Sequence, residues 1–132
     1  TGAMVASWIS QASFVPPGLT IAVAKDRAVE ALLHSGDHFA LNVLAAGREK
    51  ELMRQFLQPF SPGSNRFEGL SLETTPKNQP ILPKALAWLE ASVQQRMECG
   101  DHWLIYAQVN CGGILDSKGI TAIHHRKTGA NY

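Results

Sequence analysis

From Thr1 to Arg27 the apolar positions fall into two short runs joined by a link rich in hydroxyls and prolines. Met4, Ala6 and Trp8 alternate with Val5, Ser7 and Ile9, the period of a strand whose two faces meet different surroundings. Gln11, Ala12 and Ser13 read as a polar link to Phe14-Val15-Pro16-Pro17-Gly18. Two prolines without N–H donors do not fit a central strand, so this segment is predicted at an edge or in a bend. Leu19 to Ala24 is then a β-branched run of the kind that forms a buried strand, and it stops at Lys25-Asp26-Arg27.

Farther along, the period changes. Residues 28–33 predict a short helix, with Asp26 as N-cap and Ser35-Gly36-Asp37 as its stop. Phe39 to Leu44 reads as a strand interrupted by Asn42. Leu52, Met53 and Phe56 form the apolar stripe of a second, charged helix over 48–56. Ser61 to Asn65 is a loop, and Thr74 to Pro83, punctuated by three prolines, reads as a long surface excursion of the kind that often serves as a lid. Leu89, Ala91 and Val93 alternate inside Ala85 to Met97, which admits a helix or a strand on pattern alone. Cys99-Gly100-Asp101-His102 is a tight turn, and Trp103 to Val109 a strand. Cys111 to Gly119 is expected to be a loop or bend, Ile120 to Ile123 a short β-branched piece, and His124 to Lys127 a basic tail. About six strands and two helices predict a mainly β domain: a small antiparallel barrel with helices in its connections.

Composition narrows the classes without choosing among them. At 132 residues the chain suits one domain, spanning 1–132. With 45% apolar residues, 17% charged and a net charge of +1, no basic excess argues for nucleic acid and no acidic excess for disorder. Apolar runs stay far short of the ~20 residues needed to span a bilayer, and no signal peptide is legible, so the expected location is the cytoplasm. Cys99 and Cys111 lack metal-site spacing and are expected to be free thiols.

The chemistry concentrates at the start. Hydroxyls of Ser7, Ser10 and Ser13 beside the cations Lys25 and Arg27 suit a phosphate, and a helix beginning at that point would add its N-terminal amides. Read blandly, the serines are turn formers and Lys25-Asp26-Arg27 a solvated helix start. Both readings stand at this level. His102 is by itself a surface turn histidine, Asn42 a satisfied strand residue, and Trp8 and Trp103 core or interface residues. His124 and His125 would point to opposite faces of a strand, which argues against a metal site there.

The order of the motifs discriminates where each alone does not. ASWISQASF, PPG and AVAKDR, followed by CGDHW and TAIHHRKTG, resemble the flavin reductase-like family of FMN-binding split barrels, through essentially the whole chain. Within it the resemblance is to the domain at the C-terminus of flavodiiron proteins of oxygenic phototrophs. The likeness implies a strand across Ala85 to Met97, and FMN bound by backbone amides of Val5, Ala6 and Ser7, by Ser10, Ser13, Lys25 and Arg27, and beside Asn42. It implies that His102 and the loop Pro76 to Pro83 bound a nicotinamide site for NADH or NADPH, that the residues from His124 to Arg126 lie at the flavin edge or the dinucleotide phosphates, and that the barrel forms a homodimer. It also implies electrons passing toward a flavodiiron oxygen-reducing centre in a parent chain. Family members carry a further strand before TGAMVASW, so the domain is expected to lack its first strand. Two other readings accompany this one: a non-enzymatic FMN relay or docking module fed by a protein donor such as ferredoxin, and a dimerising barrel without cofactor. NADH and NADPH are not separated, since no GxGxxG with its acidic partner is present.

Overall fold

The computed structural model describes residues 4–6, 8–26, 34–47 and 73–122. The helices predicted over 28–33 and 48–56, the loop over 61–65, and the basic tail lie outside them. Among the described residues there is no helix, and the architecture is β: β1 (Ile9–Phe14), β2 (Pro17–Ala24), β3 (His38–Val43), β4 (Glu73–Thr74), β5 (Pro80–Ile81), β6 (Ala87–Cys99) and β7 (His102–Ile114). Five of these form one sheet in the order β1-β2-β7-β6-β3, every pair antiparallel, and β4 with β5 makes a separate hairpin.

Period-2 alternation decides which side is the core. Leu19, Ile21 and Val23 of β2 lie opposite Ala107, Ile105 and Trp103 of β7, and Ala91 and Val93 of β6 lie opposite Val109 and Ala107. All of these except Trp103 and Val109 are buried, and those two pack against the cluster together with Met4, Ala6, Ile9, Phe39, Leu41 and Leu89. One face of the sheet is thus a continuous apolar layer, in which each fully buried aliphatic side chain contributes about 1.5–3 kcal/mol.

Three expectations change. β1 runs through Gln11, Ala12 and Ser13 rather than ending before them, because backbone pairing with β2 carries the ladder to Phe14↔Pro17 with an irregularity between Gln11 and Ser13. A bulge absorbs the residue that breaks the alternation. The prolines do sit in the bend, where Pro17 opens β2 and the Val15–Pro16 peptide is cis.

Strand β7 continues through Cys111, Gly112 and Gly113 to Ile114, where a bend was expected. The glycines serve close approach, not turning: a Cβ on Gly113 would meet the Trp88 indole nitrogen at 2.7 Å, and one on Gly112 would meet Leu89 Cδ2 at 2.8 Å. The strand reading of Ala85 to Met97 is borne out by β6. Cys99 pairs with His102 across a Gly100-Asp101 loop, where Gly100 has a φ of 60°, the conformation that the first position of a tight hairpin turn asks of glycine.

The expected excursion from Thr74 to Pro83 is instead the packed β4–β5 hairpin. Thr75, Ile81 and Leu82 are buried, and the turn closes by Thr75 N–H donating to Gln79 O at 2.8 Å and Asn78 N–H donating to Thr75 O at 2.9 Å. No helix among the described residues is long and apolar enough to cross a membrane.

Candidate functional site

Strands β6 and β7 form a long ribbon, and its two ends carry different chemistry. At the hairpin end lies His102, with its side chain 15% exposed and Nδ1 2.8 Å from Oδ1 of Asp101. The turn holding Asp101 is tied to the end of β2, where Lys25 N–H donates to Asp101 O at 2.9 Å. The neighbouring imidazole holds the Asp101 carboxyl below its usual range, first by hydrogen bonding and then by charge. With Nδ1 engaged by a carboxylate, a neutral imidazole carries its proton there and keeps Nε2 as an acceptor.

Trp8 shares this corner. Its carbonyl accepts from Ala22 N–H at 3.0 Å, which sets it in register with Leu104 and on the same side as His102, the partner of Ala24. The two rings meet at 4.8 Å between centroids with a 32° tilt. Ser10, opposite Thr20 on that side, is exposed, and its hydroxyl donates to Gln11 O at 3.3 Å.

Lys25 turns to the other register. Its ammonium pairs with Glu98 and lies 5.2 Å from the centroid of Trp103, which Arg96 also covers at 4.2 Å. Hydrogen bonding to Lys25, then its charge, holds the Glu98 carboxyl below its ordinary value.

The far end of the ribbon is closed. Glu90, 1% exposed, accepts from the Thr75 hydroxyl, from Lys77 N–H at 3.2 Å and from Cys111 Sγ at 3.7 Å. Thr75 Oγ1 in turn accepts from Gln79 N–H at 3.0 Å. Asn42 clamps the other arm of the hairpin, its amide donating to Pro80 O at 3.1 Å and its carbonyl accepting from Leu82 N–H at 2.9 Å. Burial first, then the charge of Glu90, pushes the Cys111 thiol up. Cys99 and Cys111 are both free thiols.

The sequence-derived candidates therefore separate. His102 and Lys25 come to one end, and Val5 and Ala6 are half-buried, Ala6 packing on the core. Ser13, opposite Gly18, stands roughly 20 Å along β2 from Lys25 at about 3.3 Å per residue, so no single phosphate reaches both. Asn42 spends its side chain on the β4–β5 hairpin. That hairpin rests on Glu90, whose partner Cys111 lies roughly 25–30 Å along β7 from His102. Within one chain, His102 and the Pro76–Pro83 segment do not bound one pocket, contrary to the expectation. Ser7, Arg27 and the residues from His124 to Arg126 lie outside the described residues.

Asp101, Glu90 and Glu98 were missed as participants. A lone carboxylate between Leu89 and Ala91 in an alternating strand was the available signal for Glu90, and adjacency to His102 in the turn was the signal for Asp101. Glu98 meets Lys25 only through strand pairing and had no local signal.

At this end of the antiparallel sheet a turn-held histidine lies against an exposed tryptophan on one face, and the cation of Lys25 stands on the other. Comparison with known proteins gives the family: residues 1–129 match the flavin reductase like domain, and the chain belongs to that family. It is 56% identical over its full length to a putative diflavin flavoprotein A 6 of Nostoc sp. and 54% identical over 99% of its length to diflavin flavoprotein A 1 of Synechocystis sp.. It spans only 23% of each of those relatives. Among solved structures it is similar to the NADH:FAD oxidoreductase SgcE6 of Streptomyces globisporus, with a TM-score of 0.81 and 28% identity over 89% of this chain and 70% of that one. A second structure of SgcE6, in complex with NAD and FAD fragments, gives 0.77 and 26% over 89% and 69%.

Proposed function

We propose that this chain is an NAD(P)H:flavin oxidoreductase domain that holds FMN, and that it passes electrons toward a flavodiiron oxygen-reducing centre in a longer parent protein. The observation that carries the reading is the end of the sheet where His102, anchored by Asp101, lies against Trp8 on one face while Lys25 stands on the other, in a chain of the flavin reductase family. The groups at that end suit such a ligand: an imidazole with one nitrogen anchored and an exposed hydroxyl at Ser10 on one face, and a cation for phosphate on the other. Similarity along this whole chain to 23% of the length of proteins named diflavin flavoproteins supports a longer parent protein, and similarity to an NADH:FAD oxidoreductase supports the co-substrate.

Lys25, joined by Arg27, binds the phosphate. Glu98 is then the intramolecular counter-ion that the phosphate displaces. Backbone amides of Val5, Ala6 and Ser7 present donors to the flavin ring, and Ser10 to the ribityl chain. Ser13 and Asn42, placed elsewhere, drop out of this reading. His102, oriented by Asp101, hydrogen-bonds the nicotinamide and limits its approach. When bound, the flavin supplies the hydride-accepting chemistry, so the protein need only bind, orient and exclude. The single 1–132 domain is completed as a split barrel and works as a homodimer in the cytoplasm.

Anaerobic titration with FMN, followed by quenching of flavin fluorescence, tests the binding claim on the wild type and on Lys25→Ala/Arg27→Ala. Binding by the wild type, weakened at least tenfold in the variant, is the expected result. Reduction of the bound flavin by NADH or NADPH then separates the reductase from a relay fed by a protein donor, which would bind FMN and ignore both nucleotides.

A further inference from the structure

Where the core ends on the inner face of the sheet, strand pairing gathers charges that the sequence keeps far apart. Val23 of β2 and Glu98 of β6 both lie opposite Trp103 of β7. Lys25, two residues past Val23, and Arg96, two residues before Glu98, therefore come to the same face as that indole. Both cationic heads settle on its ring, Arg96 Cζ at 4.2 Å and Lys25 Nζ at 5.2 Å from the centroid. Lys25 is paired with Glu98, and their side chains are 32% and 65% exposed, so a solute reaches the cluster. An arginine laid on a tryptophan caps the core end by itself, through cation–π attraction and a buried stem. A second cation on the same ring adds something a cap does not need: an anion bound there is attracted by both heads at once.

We propose that Arg96 is a further phosphate-binding residue, acting with Lys25 on one terminal phosphate, and that the pair makes the domain select the mononucleotide FMN over riboflavin. This rests on the flavin-binding reading above and names the part of the flavin that the cluster recognises. The guanidinium is planar and offers its N–H donors in a fixed fork that matches two phosphate oxygens, while Lys25 adds a point charge. Stacking on Trp103 fixes the plane of that fork before the ligand arrives, so less side-chain freedom is lost on binding. Glu98 holds Lys25 in the unliganded chain and yields to a phosphate monoester, which carries about 1.5 to 2 negative charges at neutral pH against its one. No local motif marks Arg96, which sits between Gln95 and Met97 in β6. It joins Lys25 only through the β2–β7–β6 register.

The test titrates the whole chain, as wild type, Arg96→Gln and Arg96→Lys, with FMN and with riboflavin, each followed by quenching of flavin fluorescence. Riboflavin lacks the phosphate and shares the rest of the molecule, so it reports any general damage to the site. Arg96→Gln is expected to weaken FMN binding about tenfold and to leave riboflavin affinity unchanged. Arg96→Lys keeps the charge without the fork and is expected to lose roughly threefold on FMN alone. Unchanged FMN affinity in Arg96→Gln, or equal weakening of both flavins, overturns the proposal and leaves the flavin-binding reading in place. A wild type that holds riboflavin as tightly as FMN removes the phosphate role from Arg96 and Lys25 alike. A wild type that quenches neither flavin overturns the flavin-binding reading and this proposal together.

Discussion

The two ends of the β6–β7 ribbon use the same kinds of side chain to opposite effect. Around Glu90 a carboxylate is buried and its neighbours Thr75, Lys77 and Cys111 all turn toward it. Around Asp101 a carboxylate is 95% exposed and its hydrogen bond goes to one imidazole in the same turn. Burial without donors would cost several kcal/mol, so the Glu90 end is over-determined and rigid. The Asp101 end carries no such obligation and can exchange its contacts for those of a ligand. A dense, satisfied polar cluster here marks architecture, and a sparse, open one marks the candidate site.

Glu90→Ala is the most direct way to break this contrast. It leaves the Thr75 hydroxyl and the Lys77 amide without their buried acceptor, and a loss of about 3 kcal/mol of stability is expected, read from urea denaturation. Next is Gly113→Ala, which drives a methyl group into Trp88 and is expected to cost about 1–3 kcal/mol with reductase activity retained in the folded fraction. His102→Ala should reverse the pattern: stability falls by only about 1 kcal/mol, well short of Glu90→Ala, whereas kcat/KM for NAD(P)H falls at least tenfold. Equal loss of stability in His102→Ala and Glu90→Ala would erase the distinction between the two ends.

Smaller effects sharpen it. Glu98 and Asp101 both have lowered carboxyl pKa values in the fold. A depressed carboxyl contributes stability above its unfolded pKa and loses that contribution as pH falls through the folded one. The Lys25–Glu98 and His102–Asp101 contacts should therefore persist from neutrality down to about pH 4 and weaken below it. Both acids are solvent-exposed, so Glu98→Gln is expected to move the denaturation midpoint negligibly at pH 7 while tightening FMN binding by removing the competing counter-ion. Weaker FMN binding in Glu98→Gln would show that the carboxylate helps to hold the ligand. Last, alkylation followed by mass spectrometry should label exposed Cys99 well before Cys111, whose thiol is pushed up by burial and by Glu90. Glu90→Ala should narrow the difference.

Much of the sheet was legible locally. The β-branched run in β2, the alternation in β6 and the Gly100-Asp101 turn each report a preference that belongs to a few consecutive residues, and the structure keeps all three. The misreadings share one cause. Gln11 to Ser13 look like a link, Gly112-Gly113 like a bend and Thr74 to Pro83 like a surface loop, because polar residues, glycines and prolines usually mean that. Here a ladder partner, an approaching indole and a buried carboxylate overrule the local preference. The same limit governs the site. Ser10, Ser13 and Lys25 are close in sequence, yet an extended chain carries Ser13 far from Lys25, and Lys25 finds Glu98 across the sheet.

By itself the sequence determined the strand-forming runs, the turn that presents His102 and, through the order of its motifs, the family. These are properties of neighbouring residues, written in side-chain period, backbone preference and spacing. Only the tertiary structure decided that Asp101 and Trp8 are the groups around His102, that Lys25 answers to Glu98, and that Asn42 and Glu90 are committed to the β4–β5 hairpin. Each of those outcomes depends on which strands pair and in what register, and a one-residue slip in register would send every side chain concerned to the opposite face.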